Sequence, residues 1–518
     1  MSPSVEQRAA TPEPLWERVS GGRLPLVLVG LAAVTVLLRL PYVGTPVSAD
    51  EGGFLVVGGQ WHSGSSLYGQ YWVDRPPLLI ALFKLADVLG GLTALRLLGC
   101  LAAALTLLGI GLAARRVAGP AAAAASGIVA CALLVSPGSG SLMVNGELLA
   151  APFVAVGCWL AVCAVTAGSH ARSSWQAVGA GACAAAAVLV KQNMIDVIVF
   201  AVPLGLLCWG FRLVPFRELA RVAAWFAAGG VVTAALVMGV ALTQHTGPGG
   251  VFYAMYSFRL QATGVVAHGS MTQRLARLSQ IGRAALLSGA PLLPVALAAV
   301  LVRRSTRPRG HALAVALSTL ALTAYAVFSV VAGGSYFLHY LVELVVPTSL
   351  AAGLVVVGMP RLGRVLCAVV LGVALVLWTT GLTEQVEVRG ETAGRSVRAV
   401  AAPGDTMVVV FGEADMLQSA RMASPYAYLW ALPARTLDPG YRKLGAVLSG
   451  RRAPTWFAIR GASTVKLIDR RAPGDALRRR YHYVATICDR RIYLRDGVRR
   501  PTPTPVAACS RAQSPWFG

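Results

Sequence analysis

Acidic residues are scarce in this chain: 518 residues carry 22 Asp and Glu against 46 Lys and Arg. Charge of either sign is low, at 13% of residues where a soluble domain has roughly 25%. With 56% hydrophobic residues and a mean hydropathy of +0.64, this excludes an ordinary water-soluble globular class. Lysine is nearly absent, 4 residues against 42 Arg, and with the abundant Ala and Gly this points to a GC-rich bacterial genome, a compositional inference rather than a physical one. A dinucleotide fingerprint is also missing: the strand-like Val408 to Asp415 (VVVFGEAD) lacks GxGxxG, so no nucleotide-sugar site is expected. Seven of the nine cysteines (Cys100, Cys131, Cys158, Cys163, Cys183, Cys208, Cys367) lie in apolar runs, where cysteine is a small hydrophobe. Cys488 and Cys509 remain; their spacing fits no zinc pattern, and an oxidising compartment would let them pair.

What is present is a succession of long apolar runs. A hydrocarbon core of about 30 Å needs roughly 20 helical residues, and Leu24 to Pro41 supplies the first. A cleaved signal peptide is the rival reading, because Val47 and Ala49 resemble a cleavage site before Asp50. The stretch is long for a signal sequence, however, and further spans follow at once. Runs near 95–114, 120–136, 148–168, 176–190, 195–211, 222–244, 284–302, 311–333, 340–358 and 364–382 bring the expectation to about 11 transmembrane helices. Short cytoplasmic loops collect positive charge. Arg115 and Arg116, Arg172, the group Arg212, Arg217 and Arg221, the group Arg303 to Arg309, and Arg361 with Arg364 all fall on one side if the N-terminus is cytoplasmic. Orientation thus explains the Arg clusters, and the net charge of +24 needs no nucleic acid partner. The outer loops are then 42–94, 137–147, 191–194, 245–283 and 334–339. Within the first, Pro76 to Leu89 is too short to cross and reads as an interfacial helix.

After residue 382 the long apolar runs stop. Residues 383–518 hold 22 basic and 11 acidic side chains. Thr406 to Phe411 and Thr455 to Ile459 read as strands, Glu413 to Met422 as a helix, and Tyr481 to Leu494 as a hairpin turning at Asp489 and Arg490. The expected architecture is an α-helical polytopic membrane protein with a C-terminal extracytoplasmic α/β domain: a cytoplasmic tail over 1–22, a membrane domain over 23–382, and the outer domain over 383–518. Its basic excess is compatible with export, since long domains cross largely regardless of charge, and is read as a solvated face or one that rests on membrane lipid.

The candidate chemistry collects on the outer face. Asp50 and Glu51 follow the first span, where ionised side chains are costly and usually functional. Capping of the next helix accounts for one acid better than for two. Tyr68, Tyr71, Asp74 and Arg75 follow in the same loop; Pro76 and Pro77 stiffen the chain beside Arg75, which suits a phosphate contact. Other outer loops add Asn145 and Glu147, Lys191, Arg259 among aromatics, and His339 with Tyr340.

An acidic pair just outside a first span, then Tyr68, Tyr71 and Asp74-Arg75-Pro76-Pro77-Leu78 before an interfacial helix, resembles the first loop of the GT-C superfamily of polyprenyl-phosphate-sugar glycosyltransferases. The branches most alike are the protein O-mannosyltransferases and the lipid A aminoarabinose transferases. The likeness is densest over 24–116, and Tyr336 to Tyr340 (YFLHY) extends it to a late span. The resemblance implies that Asp50 is the catalytic base with Glu51 beside it, and that Arg75 and Tyr340 face the donor phosphate; Lys191 and Arg259, read on the same face, are expected to support Arg75 there. It implies that Asp74, Tyr71, Glu147 and His339 lie around the same site. No obligatory cofactor follows; a divalent cation on Asp74 and His339 stays open. Arg75 stands where relatives often have Lys, and the second outer loop offers Asn145 and Glu147 without their usual aspartate. The function implied is inverting transfer of a sugar, mannose or a pentose, from a polyprenyl-phosphate donor to a glycan, lipid or protein acceptor at the outer face of the plasma membrane. A transporter or lipid flippase and a non-catalytic envelope assembly subunit are the alternatives; the scarcity of acids within the spans speaks against the first.

Overall fold

The computed structural model describes residues 15–267, 269–383 and 389–509. Most of the expected cytoplasmic tail, and residues 384–388 at the expected boundary between the two domains, lie outside the described residues.

Fifteen helices precede that boundary among the described residues: α1 (Leu15–Arg39), α2 (Ala49–Gly59), α3 (Pro77–Val88), α4 (Leu92–Val135), α5 (Gly146–Val165), α6 (His170–Val190), α7 (Asp196–Gly210), α8 (Phe216–Thr243), α9 (Pro248–Phe252), α10 (Phe258–Ala267), α11 (Met271–Leu287), α12 (Leu292–Val302), α13 (Gly310–Ala332), α14 (Val345–Gly358) and α15 (Pro360–Thr383). Eight are long and apolar enough to cross a membrane, with α14 counted together with the short turn before it, and α11 with α12 makes a ninth, bent by 59°. The expectation of eleven differs for two physical reasons. Helix α7 has 15 residues, short of a full crossing. The 44 residues of α4 are two helical arms that meet at Gly119, which holds φ 81°, ψ −170° and is followed by Pro120. A continuous helix would put Gly127 and Leu107 about 30 Å apart. A side-chain carbon at Gly127 would instead lie 3.9 Å from Leu107 and 3.3 Å from Leu28, while one at Gly111 would lie 2.5 Å from Leu28. The chain therefore doubles back at Gly119, and both arms of α4 pack on α1. Glycine is required there because a side chain rarely adopts that φ.

Small residues set the closest helix contacts. A side-chain carbon at Gly181 of α6 would lie 1.8 Å from the Phe226 carbonyl oxygen of α8, and one at Gly229 would lie 2.0 Å from the Val178 carbonyl. Such close backbone approach is how helices gain packing where lipid provides no hydrophobic drive. Helix α3 forms as expected and buries Leu79, Ile80 and Phe83, while Leu85, Val88 and Leu89 stay exposed.

Beyond residue 388 come α16 (Arg389–Val400), β1 (Met407–Val409), α17 (Ala414–Ala420), α18 (Ala431–Leu437), α19 (Arg442–Ser449), β2 (Trp456–Arg460), α20 (Ala462–Asp469), α21 (Ala472–Arg480), β3 (Tyr481–Ile487) and β4 (Arg490–Arg495). The sheet order is β1-β2-β4-β3, with β1 parallel to β2 and the other pairs antiparallel. Side chains alternate between faces: Phe457 and Ile459 pack with Leu444 and Leu448, while Trp456 and Ala458 face the cluster that contains Val397 and Leu417. The hairpin turns one residue earlier than the sequence suggests. Cys488 and Asp489 hold φ 48° and 67°, the two left-handed positions of a two-residue turn, so Arg490 already pairs in β4. Cys488 is joined to Cys509, with Cα atoms 5.3 Å apart.

This α/β unit sits on α2. A side-chain carbon at Gly52 would lie 2.8 Å from the Asp415 Cα, so glycine allows α17 to touch the α2 backbone. The Ser424 N–H donates to the Tyr71 hydroxyl at 2.9 Å, and the Trp72 N–H to the Ala427 carbonyl at 3.0 Å. Asp415 lies between Gly52 and Gly390 of α16. Burial, reinforced by nearby Glu413 and opposed by Arg490, pushes its carboxyl up to about 7. An unfolded Asp ionises near about 3.9, so the folded state holds this proton more tightly. The Asp415 contribution to stability is greatest below about pH 4, declines as pH rises to about 7, and is constant beyond. Thermal unfolding in detergent should show Asp415→Asn flattening that decline and raising the midpoint at pH 8; an unchanged pH profile would refute it.

Candidate active site

The site is built outward from the N-terminus of α2. Ser48 caps this helix: its hydroxyl accepts the Glu51 N–H at 3.3 Å, and the Glu51 carboxylate accepts the Ser48 N–H at 3.1 Å. This reciprocal capping box satisfies two helix-end donors. Glu51 is fully buried, paired with Arg96 of α4 through Nε to Oε1 at 2.6 Å and Nη2 to Oε2 at 2.7 Å, and it also accepts the Val144 N–H at 2.9 Å. Arg96 spends its remaining donors on the carbonyls of Tyr42 and Pro46 and the hydroxyl of Thr45. Every oxygen of Glu51 is thus engaged, and no acceptor substrate reaches it. The pairing expected from sequence divides: Glu51 is a structural anchor, whereas Asp50, one residue earlier, is partly exposed. Trp430 Nε1 donates to Asp50 Oδ1 at 2.8 Å, and among the described residues Oδ2 has no hydrogen-bond partner.

Next to it lies a cluster of cations held by acids. Asp74 accepts from Arg75 Nη1 at 2.9 Å and pairs with Arg259 Nη2 at 2.7 Å. Burial opposes ionisation of Asp74, but the two guanidiniums outweigh it and hold the carboxyl below the usual range. The Arg75 guanidinium lies over the Phe54 ring at 5.8 Å, and the Tyr68 hydroxyl donates to the Arg75 carbonyl at 2.7 Å. Lys191, at the C-terminal end of α6, pairs with Glu147 and, at 3.0 Å, with Glu343; its ammonium lies 4.8 Å from the Tyr340 ring centre. His339 Nε2 is 3.5 Å from the same Glu147 carboxylate. Lys191, Arg259, Arg274, Tyr325, Tyr340 and Leu432 line a cavity of about 490 Å³. Arg259 keeps 41% of its side chain exposed.

The donor set does not fit a divalent cation. Both Asp74 oxygens face guanidiniums, and among the described residues no three His, Cys, Asp or Glu side chains converge. Asp74 is instead shared between Arg75 and Arg259, and His339 lies beside Glu147.

No protein-family model and no curated protein sequence matches the chain. Solved structures do. ArnT from Cupriavidus metallidurans bound to undecaprenyl phosphate aligns at TM-score 0.62 and 15% identity, over 90% of this chain and 97% of that one. The oligosaccharyltransferase AglB of Archaeoglobus fulgidus, in complex with an inhibitory peptide and a dolichol-phosphate, aligns at TM-score 0.53 and 11% identity, over 90% and 74%. Its complex with zinc and sulfate aligns at 0.55 and 12%, over 89% and 72%. The chain has the GT-C fold.

Within this fold the five loops expected from hydropathy to share one face supply two groups, Arg75 with Asp74 and Arg259, and Lys191 with Glu147, His339 and Tyr340, which meet where Arg259, Lys191 and Tyr340 line the same cavity; Asp50 is coupled electrostatically to Arg75. Tyr71 is drawn elsewhere: it is fully buried, bonded to Gln60 and Ser424, and serves the seam with the C-terminal domain. Four contributors escaped the sequence reading. Arg96 and Glu343 are hidden within apolar runs, Arg274 sits in the polar first half of α11, and Trp430 is 380 residues from its partner. A charged residue inside a span was the one available signal for Arg96 and Glu343.

Removing Arg96 leaves Glu51 buried without its counter-charge. Arg96→Met should cost about 3–5 kcal/mol of stability, read as a lowered unfolding midpoint in detergent. A midpoint equal to wild type would show that Glu51 does not depend on the pair.

Proposed function

We propose that the protein is an inverting membrane glycosyltransferase that moves a sugar, mannose or a pentose, from a polyprenyl-phosphate donor to an extracytoplasmic glycan, lipid or protein acceptor. The observation that carries this reading is one open carboxylate oxygen, on Asp50, coupled to Arg75, which shares Asp74 with Arg259 at the wall of a cavity that Lys191 also lines. The membrane helices and the GT-C fold support it, as do the lipid phosphates bound by ArnT and AglB. The topology proposed has α1 starting in the cytoplasm, both arms of α4 and the short α7 crossing, and eleven crossings in all. The segment 383–518 is then extracytoplasmic, in a bacterial plasma membrane.

The reaction proposed is a single displacement. Asp50 takes the proton from the acceptor hydroxyl as the oxygen attacks the anomeric carbon, and the glycosidic bond breaks with its electrons leaving on the phosphate. Arg75, Arg259 and Lys191 meet that developing charge, a form of stabilisation that is often the largest single contribution. The acids around them hold the cations in place: Asp74 spans the two arginines, and Glu147 with Glu343 fixes Lys191. Arg in place of Lys at 75 gives a planar, forked contact to phosphate oxygens.

Purified protein incubated with a panel of polyprenyl-phosphate sugars and monitored by mass spectrometry should consume one donor and release polyprenyl phosphate. Asp50→Asn should remain folded and lose about 10²- to 10⁴-fold in turnover. Full transfer by that variant would overturn the catalytic assignment, and uptake of label into proteoliposomes without glycosidic product would point to transport.

A further inference from the structure

Trp430 comes from the C-terminal domain, at the residue before α18, yet its indole reaches the first turn of α2. Its position there is built in. The ring lies 4.9 Å from Phe54, tilted by 32°, and a side-chain carbon at Gly53 would lie 2.5 Å from Trp430 Cζ2 and 2.8 Å from Cη2. Only glycine at 53 lets the ring cross the helix so closely. The segment that carries it is held on both sides. Upstream, Ser424 and Ala427 bond to Tyr71 and Trp72 of the first outer loop; downstream, Leu432 lines the same cavity as Lys191 and Arg259.

An aspartate side chain rotates in a broad, roughly two-fold well about its last bond. The indole N–H ends that freedom by binding Oδ1, and because it is a donor with no acceptor capacity it does not compete for the proton. Oδ2 is left without a hydrogen-bond partner among the described residues. Asp50 and Arg75 are electrostatically coupled, so the orientation of the carboxylate also sets its distance from the phosphate-binding cations.

We propose that Trp430 is a positioning residue that orients the Asp50 carboxylate for proton abstraction, making the C-terminal domain part of the active site rather than an appended module. The proposal rests on the glycosyltransferase reading. Ring packing and hydrogen bonding are separable: Trp430→Phe keeps most of the contact with Phe54 and deletes the N–H.

The full-length protein is assayed with whichever polyprenyl-phosphate sugar the wild type consumes. Trp430→Phe should lower kcat about 10- to 100-fold, the scale of a small misalignment, with the donor KM and the unfolding midpoint unchanged because the phosphate cations and the packing remain. In an Asp50→Asn background the same substitution should cause no further loss, since the two residues act as a unit. Gly53→Ala, which displaces the ring, should reproduce the kcat loss and carries the test if Trp430→Phe does not fold. Wild-type kcat in Trp430→Phe, or an equal loss in both Asp50 backgrounds, would overturn the positioning role while leaving the glycosyltransferase reading intact. A wild type that consumes no donor would end both.

Discussion

The buried pair between Arg96 and Glu51 is the constraint on which the outer end of the molecule depends. An ion pair out of water is favourable only when its remaining hydrogen bonds are also met. Here they are: the guanidinium holds Tyr42, Thr45 and Pro46, and the carboxylate holds Ser48 and Val144. One charge pair therefore ties the exit of α1, the start of α2, the first turn of α4 and the second outer loop to a common point. Asp50 inherits its place from that point. Its neighbour is immobilised, so the direction in which Asp50 leaves the helix is set before any substrate arrives.

The cations follow a similar logic with a different outcome. Asp74 bridges Arg75 and Arg259, and Glu147 and Glu343 share Lys191. Each acid lowers the cost of placing a cation at the edge of a low-dielectric region, but none encloses it. The Arg259 side chain stays 41% exposed and faces the cavity. The proposed phosphate donor requires that compromise: cations fixed firmly enough to be pre-oriented, yet open enough for a ligand to reach.

The C-terminal unit completes the arrangement from above. Its sheet is covered on both faces, and α17 presses its backbone onto the glycine of α2 at position 52. The same contact brings Trp430 over position 53. Two adjacent glycines in α2 thus do what a larger residue at either position would prevent, and they give the hydrogen bond to Asp50 its geometry.

Much of this was legible in the sequence, because hydropathy and Arg placement are read along the chain. They sorted the residues by membrane face and set Asp50, Arg75, Lys191, Arg259 and His339 at one level; the strands of the C-terminal unit were legible from their apolar character. Residue counts separated the two arms of α4 but could not show that the hairpin turns at Cys488 and Asp489, since that depends on local φ values. Nor could they separate Glu51 from Asp50. By itself the sequence determined which stretches are apolar enough to cross a membrane and which charged residues lie at their ends, since burying a charge in lipid is costly wherever the chain goes. Which of them touch, which acid is spent on Arg96 and which indole holds the other, only the tertiary structure decided, because those partners lie tens to hundreds of residues apart and meet only when the helices pack.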